Sequence, residues 1–469
     1  MIDKQKNIGF LSRAWKDSIL PSLSEYIRIP NKSPLFDPDW YENGYMHKAV
    51  KHAVDWVHEQ QVDGLDIKVH ELNGLTPTIT LELAATDDSE KTILLYGHLD
   101  KQPEFVGWNE GLGPWEPVIK DDKLYGRGGA DDGYAIYASV AAIQSLQDQK
   151  LPHPRLVVLI ECSEESGSPD LPRYMEHLKS LIGDVSLVIA LDSTCGNYDQ
   201  LWITTSLRGI IAGKLKIEVL EQGAHSGNAG GVVPSSFMVL RQLLSRLEDE
   251  NTGTIFPSFL NEQIPDSRLQ EAVRAGTVLK ESFPSMFSFK GQPLSSDPVD
   301  LVLNNTWRAS LEITGIEGLP ALNQAGNVLR PQTTAKISLR LPPSTDAASA
   351  GRQIKKLLTE NPPFGASITL DLEEPSAGWH APITHPELEE SLESASIDYF
   401  GQPAVAMGCG GSIPFMQFLA NQFPQAQFIV TGVLGPHSNA HGPNEFLHIP
   451  TAIKVSACIA QVIHDWAGK

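Results

Sequence analysis

Five short segments of the chain carry imidazole and carboxylate groups at spacings that suit metal-assisted hydrolysis. GHLD contains His98 and Asp100, and GRGGADDG contains Asp131 and Asp132. His98 ends an apolar run, and Asp100 is two residues on, so an extended chain points both to one side and Asp100 could orient the ring. Each pair also has a simpler reading, as a polar strand end or as acids that cap a helix.

Three further segments with candidate residues lie later in the chain. LVVLIECSEES runs from an apolar stretch into Glu164 and Glu165, and SLVIALDS ends near Asp192. Two adjacent glutamates repel each other unless a cation lies between them or one stays protonated. His441 follows in the glycine- and proline-rich segment SNAHGPNE.

The elements that must position these groups indicate an α/β domain. Buried strands are predicted from KTILLYGHLD, LVVLIECSEE, SLVIALDS and FIVTGVLGP, and helices from DDGYAIYASVAAIQSLQ and IPTAIKVSACIAQVIHDW. Near-continuous apolar strands that alternate with helices are typical of a mainly parallel sheet. Such sheets present ligand-binding groups at the carboxyl ends of their strands.

That topology would bring the candidates to one edge of one sheet. A mixed imidazole and carboxylate set suits zinc, with manganese or cobalt as substitutes. Two ions about 4 Å apart need roughly five protein ligands and a bridging water, which leaves one acid over. The set is His98, Asp131, Glu164, Glu165, Asp192 and His441.

The middle of the chain predicts a second domain inserted into the first. Its order of strand–helix–strand–strand–helix–strand is that of a ferredoxin-like unit, with a long irregular insertion from about 250 to 305. The predicted domains are 1–206 and 382–469 for the catalytic part and 207–381 for the inserted part. The strand RGIIAGKLKIEVL is expected to offer an exposed edge through which two such units pair in a homodimer.

These motifs and their order resemble the M20 metallopeptidase family, which includes carnosinase-like dipeptidases, glutamate carboxypeptidases and amino-acid deacylases. The matching segments, GHLD, GRGGADD, EESGS and SNAHGPNE, cover nearly the whole chain together with the inserted lid. The resemblance implies a dinuclear zinc hydrolase whose metal-bridging hydroxide attacks a peptide bond, and a lid that dimerises.

The resemblance also implies a role for each residue. His98 and Asp192 would bind one zinc, Glu165 and His441 the other, and Asp131 would bridge them. Glu164 would be the general base, Asp100 would orient His98, and a cis peptide bond would precede Asp132.

Four residues outside the cluster are implied to meet the substrate. His225, in EQGAHSGNAGG, would stabilise the oxyanion in the partner subunit, although an isolated histidine there would otherwise be a solvated loop residue. Asn327 and Arg340 would bind the polar end of the substrate, since a guanidinium can hold both oxygens of a carboxylate; a surface arginine is the alternative. Ser412, in GCGGSIP, would donate to the substrate backbone.

Two positions depart from the family pattern. Gly133 stands where the family commonly has lysine after the second aspartate, and Gly408–Cys409 stand where carnosinase-like members often have arginine and glutamate. Both departures concern the substrate rather than the metals.

Composition bounds the partners. The 469 residues have a formal net charge of -21, which argues against nucleic acid or an anionic membrane as a partner. Four cysteines do not make a disulfide framework, and the start lacks the apolar core of a signal peptide. A cytoplasmic location is therefore expected.

Three functions remain open. The first is a dipeptidase or short-chain exopeptidase. The second is an N-acyl or N-carbamoyl amino acid hydrolase on the same scaffold, and a remote third is a non-catalytic peptide-binding protein. A serine or cysteine hydrolase is disfavoured because there is no GxSxG motif and no cysteine with a motif partner.

Overall fold

The computed structural model describes residues 1–86, 89–287 and 289–467. Its α-helices are α1 (Lys4–Ala14), α2 (Leu20–Ile27), α3 (Trp40–Asn43), α4 (Tyr45–Glu59), α5 (Tyr134–Asp148), α6 (Leu171–His177), α7 (Lys179–Ile182), α8 (Ser226–Ala229), α9 (Ser236–Leu244), α10 (Asp266–Leu279), α11 (Ser282–Ser285), α12 (Pro298–Thr306), α13 (Ala347–Thr359), α14 (Pro386–Phe400), α15 (Pro414–Gln422) and α16 (Ile449–Ala467). Its strands are β1 (Asp66–His70), β2 (Thr78–Leu83), β3 (Thr92–His98), β4 (Val118–Lys120), β5 (Lys123–Tyr125), β6 (Arg155–Glu161), β7 (Leu187–Ala190), β8 (Trp202–Leu207), β9 (Gly209–Glu218), β10 (Ala224–His225), β11 (Ser310–Glu317), β12 (Val328–Leu329), β13 (Gln332–Leu341), β14 (Ser367–Leu372), β15 (Trp379–His380), β16 (Val405–Cys409), β17 (Gln427–Val430) and β18 (Phe446–His448).

The chain divides into two units, and the first is built around a mainly parallel sheet. It comprises Met1–Thr205, Ala381–Ala406 and Phe418–Lys469. The strand order is β1-β2-β6-β3-β7-β17. From β6 to β17 the neighbours are parallel, while β1 and β2 extend the sheet antiparallel. The parallel strands are almost entirely buried because helices including α5 and α16 share their core.

The second unit has the predicted ferredoxin-like arrangement. It comprises Ser206–His380 and Met407–Gln417. Its four-stranded sheet has the order β11-β13-β9-β14, and every neighbouring pair is antiparallel. Alternate residues of β9 and β13 are buried, as expected when helices cover one face of a sheet. Helices α9 and α13 contact these strands. The predicted fold class, a mainly parallel catalytic sheet with an inserted α+β lid, is confirmed.

Two expectations for the inserted part are wrong. The stretch from 250 to 305 is not irregular, since α10, α11 and most of α12 lie within it. Strand β9 is not an edge strand, because β13 and β14 both pair with it. The strands at the ends of this sheet are β11 and β14, and most of β11 is exposed.

The second unit begins and ends within one residue of the predicted 207–381, at Ser206 and His380, and it also includes a further segment. Residues 407–417, predicted to belong to the catalytic part, group with the second unit. The backbone N–H of Arg208 donates to the carbonyl of Gly411, and the Arg208 side chain donates to Gly410. These contacts hold the loop to the second unit.

In the part of the chain that the structure describes, no helix combines the length and the apolar character needed to cross a membrane. The predicted cytoplasmic location stays a prediction.

Candidate metal centre

Three neighbouring parallel strands deliver polar side chains to one edge of the first unit's sheet. His98 is the last residue of β3, Glu164 and Glu165 follow β6, and Asp192 follows β7. Because these strands are parallel neighbours, their carboxyl ends lie together. The predicted grouping of these residues at one sheet edge is what the structure contains.

Two loops complete the cluster. Asp131 and Asp132 lie in the turn Gly129–Gly133 that leads into α5, and both are buried. The peptide bond between them is cis, as the resemblance implied. His441 lies in the irregular segment between β17 and β18.

Asp131 faces both histidines of the cluster. Its Oδ1 lies 3.4 Å from Nε2 of His98, and its Oδ2 lies 3.1 Å from Nε2 of His441. Each carboxylate oxygen therefore lies close to a different imidazole. A carboxylate in this position could be shared between two metal ions.

The remaining carboxylates group around one histidine or the other. Nε2 of His98 lies 3.8 Å from Asp192 Oδ2 and 3.9 Å from Glu164 Oε2. Nε2 of His441 lies 3.3 Å from Glu165 Oε2. In each of two sets of candidate ligand atoms, all the atoms lie within 4.8 Å of one another. One set comes from His98, Asp131 and Glu165, and the other comes from His98, Glu164 and Asp192.

Asp100 connects the ends of β3 and β6. Its carboxylate accepts backbone hydrogen bonds from Glu164 at 3.1 Å and from Glu165 at 2.9 Å. Nδ1 of His98 lies 3.1 Å from the backbone carbonyl of Asp100 and 3.5 Å from its carboxylate. The shorter contact to the ring is thus a carbonyl, and the carboxylate mainly fixes the turn that holds the two glutamates.

The buried carboxylates of the cluster repel one another, and His98 and His441 offset part of that repulsion. Burial raises the pKa of Asp192 to about 7, with repulsion from Asp131 and Glu165 adding to it against the pull of His98. Burial and the charge of Asp192 likewise raise the pKa of Glu164 well above its usual value. Burial opposes ionisation of Asp131, yet the nearby imidazoles of His441 and His98 hold its pKa below the usual range.

The donors present fit divalent metal ions. Nε2 of His98 and Oε1 of Glu165 are buried, and within the described residues they have no hydrogen-bond partner. Buried polar atoms normally have a partner, and a cation bound among these carboxylates would supply one to both atoms. Imidazole nitrogen with carboxylate oxygen is a donor set that zinc accepts.

One residue that the sequence reasoning missed contacts the cluster directly. The side-chain amide of Gln102 donates to Glu165 Oε2 at 2.6 Å. Its place two residues beyond Asp100, in the same strand-end segment, was the available signal.

In the second unit, His225 is the last residue of the short strand β10, and Asn327 directly precedes its neighbour β12. His225 pairs with Val328 between β10 and β12, and the carbonyl of Asn327 accepts from the N–H of Ser226. Both residues are exposed. Nδ1 of His225 accepts from the N–H of Gly227 at 3.1 Å, so in the neutral ring the proton lies on Nε2 and that atom is a donor.

Arg340 and Ser412 are brought together. The guanidinium of Arg340 donates to the Ser412 hydroxyl at 3.1 Å, and that hydroxyl donates to the carbonyl of Arg208 at 2.5 Å. Burial lowers the pKa of Arg340, and burial with the charge of Arg340 lowers the pKa of Arg208 to about 10.

Both departures from the family pattern have a packing reason. A Cβ at position 133 would lie 2.6 Å from the carbonyl oxygen of Gly128 and 2.8 Å from Cζ of the Tyr26 ring. A Cβ at position 408 would lie 2.8 Å from Cβ of Thr306. Glycine is needed at each place because neighbouring atoms already fill the space of a side chain.

Known proteins share this sequence pattern and this fold. A cysteinylglycine-S-conjugate dipeptidase of Corynebacterium striatum is 26% identical over 456 residues, which span 94% of this chain and 93% of the relative. A Beta-Ala-His dipeptidase of Homo sapiens is 25% identical over 363 residues, which span 74% of this chain and 69% of the relative. Both relatives carry dipeptidase names.

Two solved structures have the same overall architecture. Human carnosine dipeptidase 1 superposes with a TM-score of 0.77 at 21% identity, covering 99% of each chain. The dipeptidase Dug1p of Saccharomyces cerevisiae gives 0.76 at 21% identity, covering 100% of this chain and 99% of that one. At this identity the likeness concerns the fold.

The family model described as peptidase family M20/M25/M40 matches residues 94–465. This range contains every member of the acidic cluster and the whole of the inserted unit. The chain therefore belongs to peptidase family M20/M25/M40.

Proposed function

We propose that this protein is a dinuclear zinc exopeptidase that hydrolyses the amide bond of dipeptides or short peptides. The observation that carries the proposal is Asp131, whose two carboxylate oxygens face His98 and His441 at 3.4 and 3.1 Å. Family membership and the dipeptidase names of two relatives support it.

The proposed ligands divide into two sets around the shared Asp131. His98 and Asp192 would hold one ion, while Glu165 and His441 would hold the other. Manganese or cobalt would also suit this donor set. Asp100 and Asp132 support His98, the former through Nδ1 and the latter through the backbone N–H, which donates to Asp132 Oδ2 at 3.3 Å.

Bound in this set, two divalent cations would lower the pKa of a water enough to supply a nucleophile near neutral pH. Glu164 accepts the proton from that water and delivers it to the leaving amine. Its raised pKa suits this role, because a general base that must also act as an acid works best near the operating pH.

The second unit supplies the proposed substrate contacts. Arg340 offers a guanidinium to the substrate carboxylate. The single O–H of Ser412 donates to the carbonyl of Arg208, so Ser412 must exchange that hydrogen bond to donate to the substrate backbone. Asn327 offers a further polar group. His225, with Nε2–H as a donor, stabilises the oxyanion.

We propose that two copies of the chain form a dimer through the second unit, which is the predicted lid. The edge strand β11 offers exposed Ile313 and Ile316, and an unpaired edge favours association with a second copy about a two-fold axis. The exposure of His225 within its own chain supports a role in the partner's site.

Metal removal tests the proposal. The cluster repels itself without cations, so chelation should abolish turnover of dipeptides and lower the melting temperature, and zinc should restore both. Full activity in a verified metal-free sample would contradict the metal mechanism.

A hydrolysis screen separates the substrate classes. Dipeptides, N-acyl amino acids and N-carbamoyl amino acids would be compared with added zinc or manganese. We expect dipeptides to be cleaved fastest. Faster cleavage of the acyl or carbamoyl compounds would assign the protein to the deacylases, and binding of peptides without hydrolysis would make it a non-catalytic binder.

A further inference from the structure

A fully buried ion pair lies beside the metal cluster and takes no part in the proposed reaction. Nη1 of Arg127 lies 2.6 Å from Oε2 of Glu445, and the two side chains are 1% and 0% exposed. Burying two charges is costly, and such a pair is weak evidence for stability by itself. A role in positioning is the alternative that its contacts suggest.

The ion pair joins two segments that are 318 residues apart in sequence. Arg127 Nη2 donates to the carbonyl of Gly442 at 2.6 Å, one residue beyond His441. Glu445 Oε1 accepts from the N–H of Gly128 at 3.0 Å, three residues before Asp131. The N–H of Gly126 donates to the backbone carbonyl of Glu445 at 3.0 Å. Every one of these bonds crosses between the Asp131 turn and the His441 loop.

The His441 loop needs such anchoring. His437, Asn439, His441 and Asn444 all have positive φ, a conformation that residues other than glycine adopt only when surrounding contacts enforce it. His441 itself is exposed, so packing alone does not fix it.

Lys101 supports the same turn from the other side. Its Nζ donates to the carbonyls of Tyr26 and Ile29, each at 2.8 Å, and lies 3.8 Å from the centre of the Tyr26 ring. Its side chain packs against Gly128 so closely that a Cβ there would lie 2.6 Å from Lys101 Cε. The Asp131 turn is therefore held rigidly, and the ion pair ties the His441 loop to it.

We propose that Arg127 and Glu445 are positioning residues that hold His441 opposite Asp131 and so set the affinity for the metal ion bound by Glu165 and His441. The inference rests on the proposed function, because it assumes two metal ions. It concerns one ion more than the other, because the turn that carries the shared Asp131 also packs against Lys101. The remaining ligands of the other ion, His98 and Asp192, come from strand ends that the ion pair does not contact.

The test uses the full-length, metal-free protein titrated with Zn²⁺ by calorimetry. Glu445→Gln keeps the shape of the side chain but removes its charge, and Arg127→Lys keeps the charge but cannot reach both Glu445 and Gly442. We expect one of the two Zn²⁺ affinities to fall by about 10- to 100-fold, the usual effect of losing a group that orients a ligand. The other affinity should change by less than about threefold. His441→Ala should lower the same Zn²⁺ affinity, and this shows which of the two affinities belongs to the ion bound by His441.

A matched control is available in the same unit. Glu82→Gln breaks the ion pair of Glu82 with Arg155 Nη2, which is also 2.6 Å long and lies at the start of β6, the end away from the glutamates. It should lower the melting temperature and leave both Zn²⁺ affinities unchanged.

The possible outcomes are distinct. The positioning role is wrong if Glu445→Gln and Arg127→Lys lower the melting temperature but leave the two Zn²⁺ affinities unchanged. It is also wrong if they lower both affinities equally. If Glu445→Gln does not fold, Arg127→Lys decides by the same readout. If the unmodified protein binds fewer than two Zn²⁺ ions, the dinuclear proposal fails, and the positioning role, which assumes two ions, fails with it.

Discussion

At the scale of single residues, the two adjacent glutamates have different surroundings. Glu165 Oε2 accepts from Gln102 at 2.6 Å and lies 3.3 Å from His441. Glu164 lies nearest to His98, at 3.9 Å, and the charge of Asp192 raises its pKa after burial has done so. Burial raises the pKa of Glu165 as well, so the contacts separate the two roles: the carboxylate that Gln102 holds suits a ligand, and its neighbour suits a proton carrier.

Exchanging each glutamate for glutamine should separate these roles. Glu164→Gln should retain two bound metal ions and lose turnover by about 100-fold or more, because the amide cannot accept the proton. Glu165→Gln should instead weaken binding of one metal ion. Metal content and kcat, measured on the same samples, check both expectations. If Glu164→Gln loses metal and Glu165→Gln keeps it, the two assignments are reversed.

The sequence could predict the cluster, since its members occupy strand ends and short glycine-rich loops that motifs reveal. It did not predict Gln102, Arg127 or Glu445, whose partners are 63 and 318 residues away. Arg127 and Glu445 act through a distant partner and have no local pattern of their own, while the one signal for Gln102 was its place two residues beyond Asp100. The carbonyl contact to His98 Nδ1 was missed for a related reason, because the backbone has no sequence signal.

At the scale of the elements, apolar runs were a sound guide to β3, β6, β7 and β17, because both faces of these strands are buried. β1, in contrast, is a partly exposed edge strand with the sequence DIKVH, and no prediction was made for it. The place of β9 was mispredicted because alternation reports which face is buried and says nothing of neighbours.

The Asp131 turn gives a prediction at this scale. Gly133→Ala should destabilise the protein by about 1–3 kcal/mol, since the added methyl group would overlap the Gly128 carbonyl and the buried Tyr26 ring. Gly9→Ala, in the middle of α1, is the control, because its new Cβ would find only the end of the Arg13 side chain, at 3.7 Å. Alanine should stabilise that helix by about 0.5–1 kcal/mol. Urea unfolding of both variants measures the difference, and equal effects would show that the turn can relax.

At the scale of the whole molecule, the proposed chemistry draws on two units and, by proposal, on two chains. The metal ligands and Glu164 belong to the first unit, while His225 belongs to the second. His225 is exposed within its own chain. Because Nδ1 accepts from the N–H of Gly227, the proton of the neutral ring lies on Nε2, which can donate to another group. If pairing of the lids brings this donor to the partner's oxyanion, a monomer is inactive however well it binds metal.

Subunit exchange between two inactive variants tests this arrangement. His225→Ala lacks the donor and Glu164→Gln lacks the base, so each homodimer should be nearly inactive. In a mixed dimer, the site that retains Glu164 receives an intact His225 from the other chain. Random pairing of equal amounts makes half the dimers mixed, each with one competent site, so activity should return to about a quarter of the unmodified value for a symmetric dimer. Exchange itself is verified with differently tagged chains. Flat activity despite verified exchange would mean that His225 serves its own chain or has no part in the reaction, and the oxyanion donor would then have to come from elsewhere.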